Sequence, residues 1–422
     1  MQELIEVPVT EGTIVGRRQA GVCRFDAIPY AEPPVGELRF RPPRKLRWQG
    51  RLDAIHRGPI APQRRSRLAP AIGDFHADQS EDCLHLTVWT PAADHGRRPV
   101  VVWLHGGAWV TGAGALDWYD GTNLAVRGDM VVVAPNYRLG ALGWLHVPGE
   151  TANVGLLDQE AAIDWVIEHI DAFGGDPERI TVMGQSAGAS NAACLLTRAP
   201  RFSRVILQSS SLGRGLWTSS KAADLARHVL DAAGVGSLEE ARALSADALV
   251  EAQHAPGVQR FLAEEGSGRA AYCPTADGDV LPVAYEQALR QAATRADVLV
   301  GHTLNEMASF PGWGLDADAQ RVGDLVFGAF ARQWAAWAAE GGRDARLYRF
   351  DYSASSRFGA CHCVELPFVF DTLESYVGSP MLDAAEPVDL ARLAAQVQMF
   401  WVAFIRGEGP AWPPYPKQYS FN

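Results

Sequence analysis

A serine lies between two glycines in the Gly-Gln-Ser-Ala-Gly stretch at residues 184–188, and this spacing is typical of a nucleophile elbow. Residues 179–183 before it predict a short buried strand, and residues 189–197 after it predict a helix. Small residues let the backbone turn sharply there, so the Ser186 hydroxyl is expected to stand exposed. Because a serine hydroxyl alone is a poor nucleophile, other residues must supply a base and its partners.

Glu306 and His362 are the candidate partners, and each follows a predicted strand. The loops after strands are where ligand-facing residues of open α/β sheets lie. Serine acyl transfer needs a base that takes the hydroxyl proton and an acid that orients the base. The order nucleophile, acid, histidine is that of the α/β-hydrolases. Asp297 is a nearby alternative for the acid.

The glycine-containing segment 104–109 also follows a predicted strand. Its backbone amides could point at a substrate carbonyl, because glycine allows the required turns. Losing one such oxyanion donor typically costs about 3 kcal/mol of transition-state stabilisation. Within this segment, His105 is expected to be structural rather than catalytic.

Composition limits the classes of partner. The 422 residues are 47% hydrophobic and 21% charged, and the formal net charge is −11. An acidic chain of ordinary globular composition argues against nucleic acid and anionic membranes as partners. No signal peptide is visible at the start, so a cytoplasmic location is predicted. Six cysteines in this length indicate mostly free thiols.

Alternating valine-rich strands and helices predict a mostly parallel central sheet with helices on both faces. The predicted strands are 100–104, 130–134, 180–183, 204–207, 297–300 and 347–350. A helix precedes the Gly-Gly-Asp-Pro sequence at 174–177, and another covers 389–406. The intervals 210–295 and 311–345 are predicted to be helical insertions that form part of the active-site cover, the second around a helix at 323–340.

Two sequence patterns could indicate a metal or a cofactor. The Cys-His-Cys sequence at 361–363 lacks a fourth ligand and is a weak indication of metal. The glycines at 112 and 114 are followed by no P-loop lysine or dinucleotide spacing. No metal and no cofactor are expected.

Motifs along nearly the whole chain resemble those of the type B carboxylesterases, which include cholinesterases and bacterial esterases. These motifs lie at 27–34, 37–40, 80–84, 105–107, 136–140, 155–159, 173–177 and 365–370. The resemblance implies a triad of Ser186, Glu306 and His362. The other implied site residues are the oxyanion donors Gly107, Ala108 and Ala187, the supporting hydroxyl of Ser209, and the acyl-pocket aromatics Trp217 and Phe310. For these two aromatics, a core position is the alternative.

The same resemblance implies two structural ion pairs, Arg39 with Glu81 and Arg138 with Asp158. It also implies a disulfide partner for Cys83 in secreted relatives, which this chain lacks near residues 59–62.

Other departures from the family bear on the substrate. Many relatives have a glutamate where this chain has Gln185, and the cholinesterase tryptophan for choline is missing from 64–83. A cholinesterase activity is therefore not expected. Cys363 stands where relatives usually have glycine.

The prediction is a single α/β-hydrolase domain over 1–422. The predicted activity is that of a serine carboxylesterase, which hydrolyses small or medium ester molecules through an acyl-enzyme. A transacylase or an amidase would use the same triad. A non-catalytic binding protein on the same scaffold is the remaining alternative. The oligomeric state is left open.

Overall fold

A central sheet organises the molecule in a computed structural model, which describes residues 3–199, 201–266 and 270–422. The strands are β1 (Leu4–Val9), β2 (Gly12–Gln19), β3 (Val22–Pro29), β4 (Gly50–Asp53), β5 (His85–Thr90), β6 (Arg98–Leu104), β7 (Val131–Pro135), β8 (Gly175–Gln185), β9 (Arg204–Gln208), β10 (Trp217–Thr218), β11 (Thr275–Ala276), β12 (Asp297–Thr303), β13 (Ala345–Phe350) and β14 (Gln418–Phe421). The main sheet has the order β1-β2-β3-β5-β7-β6-β8-β9-β12-β13-β14, with β4 beside β2. Strands β10 and β11 pair separately.

The sheet has an antiparallel part and a parallel part. Neighbours from β1 to β7 in this order are antiparallel, whereas those from β7 to β14 are parallel. All six predicted strands are confirmed within the parallel part. In β6, Val100 and Val102 enter one hydrophobic cluster, while Val101 and Trp103 enter another on the opposite face. Such strands read as continuous apolar runs because both faces are covered.

Helices cover both faces of this sheet. They are α1 (Ala69–Ile72), α2 (Thr122–Gly128), α3 (Gly140–Trp144), α4 (Val154–His169), α5 (Ala187–Leu195), α6 (Ser219–Ala232), α7 (Leu238–Ala241), α8 (Ala246–Ala252), α9 (Pro256–Glu264), α10 (Tyr285–Ala293), α11 (Ala317–Gly323), α12 (Ala329–Glu340), α13 (Leu366–Phe370) and α14 (Pro387–Arg406). Side chains of α4, α5, α10 and α12 join the first cluster, and those of α2, α13 and α14 join the second.

The interval between β9 and β12 holds α6 to α10, as a helical excursion. Ser237 caps α7 by accepting a hydrogen bond from the Glu240 amide at 3.2 Å. Part of the predicted 210–295 insertion, residues 267–269, lies outside the described residues, as do residues 1, 2 and 200.

The interval between β12 and β13 has two parts. Residues 310–313 and the π-helical turn Asp324–Gly328 face a cavity. Helix α12 instead packs on β12 and β13 as the crossover between these parallel strands. Within the interval predicted as cover, 311–345, the residues that line the cavity therefore come before α12.

Helix α14 ends where Gly407 adopts a left-handed φ of 80°. Within the described residues it is the one helix whose length and mean hydropathy, 1.3, would suffice to cross a membrane. Its buried side chains, including Val397 and Trp401, belong to the second cluster. A core helix of a globular domain has the same composition, so this is weak support for a membrane span.

Two buried ion pairs match those implied by the family resemblance. Arg138 donates to both carboxylate oxygens of Asp158 at 2.6 and 2.8 Å, and both side chains are almost fully buried. Arg39 Nε donates to Glu81 at 2.7 Å. The first pair ties the loop after β7 to α4.

Candidate active site

Ser186 stands at the turn between β8 and α5, with φ of 56° and ψ of −118°. The two flanking glycines allow this turn because there is no room for side chains. A Cβ on Gly188 would lie 1.9 Å from the Leu104 carbonyl oxygen on β6, and one on Gly184 would lie 2.4 Å from the Gly188 carbonyl carbon. The Ser186 amide is held by the Gln208 carbonyl at 2.8 Å.

The four predicted residues of the triad and its support follow four neighbouring strands. Ser186 follows β8, Ser209 follows β9, Glu306 comes shortly after β12, and His362 comes after β13. These strands are adjacent in the sheet. Because the carboxyl ends of parallel strands meet at one edge, residues far apart in sequence come together there.

Glu306 and His362 are in direct contact. Glu306 Oε2 bonds His362 Nδ1, and its Oε1 accepts from the Thr303 amide at 2.8 Å. Burial acts to raise the pKa of the Glu306 carboxyl, but the positive charge that His362 can carry and its hydrogen bond outweigh burial and lower it. The Ser209 hydroxyl contributes to this lowering, although Oγ makes no hydrogen bond of normal geometry with a described residue.

The loop after β6 has an unusual backbone. Gly107, Ala108 and Trp109 have φ values of 116°, 54° and 61°. The amides of Gly107 and Ala108 donate to no other residue in the described part of the chain. The third predicted donor, Ala187, is the first residue of α5, where helical amides lack an internal acceptor. These amides can therefore bind an oxyanion.

His105 supports this loop. Its Nδ1 lies 2.8 Å from the Gly106 carbonyl oxygen, and its ring stacks on Tyr137 with centroids 4.3 Å apart. Burial lowers the pKa of His105 to about 4. It is thus a neutral side chain in a structural position, as the sequence predicts.

Ser186 and His362 line one cavity of about 380 Å³. No hydrogen bond joins Ser186 to the His362 ring among the described residues. Nε2 of that ring lies 3.2 Å from Nε2 of Gln185 instead. Catalytic hydrogen bonds commonly shorten when a substrate binds.

The two aromatic residues expected in the acyl pocket differ in position. Phe310 lines the cavity, and its ring centroid lies 5.3 Å from that of His362. Trp217 is not among the described lining residues, because it is 1% exposed and stacks on Phe261 in the first cluster. Its position fits the alternative, a core residue, and does not support a pocket role.

Comparison with known proteins identifies the family. The sequence profile described as "Carboxylesterase family" matches residues 3–321. The chain belongs to the carboxylesterase family. Phenmedipham hydrolase of Pseudarthrobacter oxydans is 33% identical over 96% of this chain and 92% of its own length. Para-nitrobenzyl esterase of Bacillus subtilis (strain 168) is 33% identical with the same coverage of each chain.

Solved structures agree with this assignment. A PNB esterase structure superposes with a TM-score of 0.89 and 30% identity, covering 99% of this chain and 95% of the other. The predicted α/β-hydrolase fold is confirmed, and the protein is a carboxylic ester hydrolase that acts on small-molecule esters.

Sequence reasoning missed several residues of this carboxylesterase site. The Phe327 ring lies 4.9 Å from His362, and Arg67 lies over Phe310 at 5.1 Å. Glu365, which the sequence shows only as part of a family motif, is fully buried behind the histidine. Burial and then the charge of Glu306 raise the pKa of Glu365 to about 7. Aromatic, arginine and glutamate residues occur throughout the chain, so their types alone gave no signal.

The cysteines of this carboxylesterase that the sequence singles out are buried and in no disulfide: Cys83, Cys361 and Cys363. Cys363 adopts φ of 76°, a value that suits the glycine usual in relatives. Away from the cavity, Glu11, Glu168 and His169 are the one group of possible metal ligands within the described ranges.

Proposed function

We propose that Ser186, His362 and Glu306 form the catalytic triad of this esterase. The observation that carries the proposal is the bond between Glu306 and Nδ1 of His362, at the wall of a cavity that Ser186 also lines. This contact leaves Nε2 to act as base, because the two ring nitrogens have separate partners. The lowered pKa of Glu306 keeps its carboxylate charged beside the imidazole.

The proposed reaction has two halves. Ser186 Oγ attacks the ester carbonyl while His362 Nε2 takes its proton, and the amides of Gly107, Ala108 and Ala187 stabilise the oxyanion. The protonated His362 then donates to the leaving alcohol. Water, deprotonated by His362, attacks the acyl-enzyme. The bond between Ser186 Oγ and the acyl carbon then breaks, His362 returns the proton to Oγ, and the carboxylic acid leaves. Glu306 orients the ring and stabilises its positive charge throughout, and Ser209 supports Glu306.

The substrates we propose are small or medium esters with apolar or aromatic parts. A cavity of about 380 Å³ lies at the lower end of the range for small-molecule sites. Its aromatic wall includes Trp109, Phe310, Trp313 and Phe327. The relatives named for para-nitrobenzyl esters and for phenmedipham support this size class.

We further infer that the chain works as one domain. Its four site residues follow β8, β9, β12 and β13, which are neighbours in a single sheet. The site therefore depends on that sheet being intact.

Replacing the nucleophile tests the triad. Ser186→Ala is expected to lower kcat for a para-nitrophenyl ester on the order of 10⁴-fold or more, since members of a triad act as a unit. The matched control is Ser220→Ala, because Ser220 is exposed on α6 outside the cavity. Near-normal turnover by Ser186→Ala would contradict the assignment.

Covalent labelling gives a second measurement. A fluorophosphonate is expected to label folded wild type and Ser220→Ala once per chain, and to leave Ser186→Ala unlabelled. A folded wild type that stays unlabelled would favour the binding-protein alternative instead.

A further inference from the structure

The wall of the active-site cavity is strongly cationic. The described residues that line it include Arg64, Arg65, Arg67 and Arg214, and no aspartate or glutamate. The whole chain carries a formal net charge of −11, with 49 acidic residues against 38 basic ones. In such an acidic chain, a cavity wall with arginines and no acidic residue has the opposite charge to the chain as a whole.

Two of these arginines are neutralised by acids outside the wall. Arg64 pairs with Glu251, and Arg65 pairs with Asp74 at 2.6 Å. Arg67 differs from them, because no described carboxylate lies within ion-pair distance of its guanidinium. Its charge therefore faces the cavity uncompensated.

Arg67 is held in place by Phe310. Its guanidinium carbon lies 5.1 Å from the Phe310 ring centroid, in a cation–π contact. The side chain is exposed to the cavity, yet the surrounding protein removes part of its hydration. This desolvation and the nearby charge of Arg214 lower the pKa of Arg67. The charge of Arg214 thus opposes that of Arg67, and an anion bound at Arg67 would offset this repulsion.

The closeness of Arg67 to His362 indicates that the bound anion is part of the substrate. The Phe310 ring also lies beside His362, with 5.3 Å between the ring centroids. Because Arg67 and His362 both contact this one ring, the Arg67 guanidinium carbon and the His362 ring lie at most about 10 Å apart. A charged group bound at Arg67 would belong to the same small molecule as an ester bond at Ser186.

We propose that Arg67, with Arg214 beside it, binds a carboxylate of the substrate, so that the enzyme prefers esters with a negative charge on one half. The planar guanidinium matches a carboxylate with two parallel hydrogen bonds. This inference rests on the esterase function proposed above. Gln185 agrees with it, because a neutral amide before Ser186 places no negative charge beside such a substrate.

The test compares charged and neutral esters of similar shape. With the charge on the acyl half, the para-nitrophenyl monoester of adipic acid is compared with para-nitrophenyl hexanoate. With the charge on the alcohol half, meta-acetoxybenzoate is compared with meta-acetoxybenzamide. In at least one pair, wild-type kcat/KM is expected to favour the charged ester about tenfold or more, because charge-assisted hydrogen bonds are strong. The preference should shrink as salt screens the charges.

Variants locate the effect. Arg67→Gln is expected to lose most of the preference for the charged ester, measured as the ratio of the two kcat/KM values. Arg67→Lys should keep part of this preference, because lysine retains the positive charge but cannot donate two parallel hydrogen bonds. The matched control is Arg227→Gln, because Arg227 is exposed on α6 outside the cavity and pairs with Asp224, and its ratio should equal that of wild type.

Two results would overturn the inference. One is a wild type that prefers neither charged ester, which needs no variant to observe. The other is a preference that Arg67→Gln and Arg67→Lys leave unchanged. Either result would leave the triad assignment unaffected, because that assignment is tested separately by the loss of neutral-ester turnover in Ser186→Ala.

Discussion

Glu365 is a buried acid outside the proposed triad. Its Oε1 accepts from Gln208 Nε2 at 3.3 Å, while Oε2 accepts no hydrogen bond from the described residues. Loss of hydration and the nearby Glu306 charge both favour the neutral form, which places its pKa at about 7. An ordinary glutamate has a pKa of about 4.3. Ionising Glu365 therefore works against folding.

Glu365→Gln should change the pH dependence of stability. Between about pH 4.3 and 7 the folded state binds more protons at this position than the unfolded state, so wild-type stability falls as pH rises through 7. The variant lacks this loss. The free energy of unfolding of the variant, relative to that of wild type, should therefore be roughly 3 kcal/mol higher at pH 8 than at pH 5. Denaturant midpoints at the two pH values measure the gain.

The control for Glu365→Gln is Glu374→Gln, because Glu374 is exposed nearby in sequence. It should change the free energy of unfolding by less than about 0.5 kcal/mol at both pH values. An identical pH dependence for Glu365→Gln and wild type would show that Glu365 is already ionised in the folded protein.

At the scale of elements, the contact of α5 with β6 determines the sharpness of the turn at Ser186. Gly188, the second residue of α5, lies so close to the Leu104 carbonyl that any side chain would push the helix off the strand. The same shift would move the Ser186 hydroxyl and the Ala187 amide. Stability and catalysis should therefore both depend on this glycine.

Gly188→Ala is expected to destabilise the protein by about 1–3 kcal/mol or more and to lower kcat at least tenfold, because backbone must move to fit the methyl group. The matched control is Gly257→Ala, at the second residue of α9, where a Cβ would meet only an arginine tip 4.0 Å away. That change should leave kcat unaltered and stabilise slightly. Thermal unfolding and steady-state kinetics compare the two.

The parallel half of the sheet could be predicted because its strands are short, apolar and rich in β-branched residues. Strand β1 was missed because its exposure varies along the chain, with only Val7 buried. Strands β3 and β5 are mostly buried, but Arg24 and Asp26 in β3 and Thr87 and Thr90 in β5 interrupt the apolar pattern.

The residues of the proposed triad were named from motif order and family resemblance. The positions of Trp217 and Arg67 could not be predicted, because which side chain reaches a cavity depends on how distant segments pack.

At the scale of the whole molecule, charge is distributed unevenly. The formal net charge is −11, and the sequence isoelectric point is about 5.5. The active-site mouth nevertheless carries several arginines. A substrate with a carboxylate is therefore repelled by most of the surface at long range and attracted only close to the cavity.

Solubility is expected to reach a minimum near pH 5.5, because net charge approaches zero there and molecules no longer repel each other. Turbidity of concentrated protein across pH 4 to 8 measures it, and added salt at pH 8 serves as a comparison for screening. A solubility that stays constant through pH 5.5 would contradict this expectation.

The proposed catalytic groups and the cavity wall come from different kinds of structure. Ser186, Glu306 and His362 are anchored to a hydrogen-bonded sheet, whereas the wall comes from irregular segments such as 64–68, 211–215 and 310–313. Exchanging these segments between homologous enzymes should create chimeras with altered selectivity and intact chemistry. The architecture thus gives evolution, or a protein engineer, a way to vary what is recognised while conserving how it is cleaved.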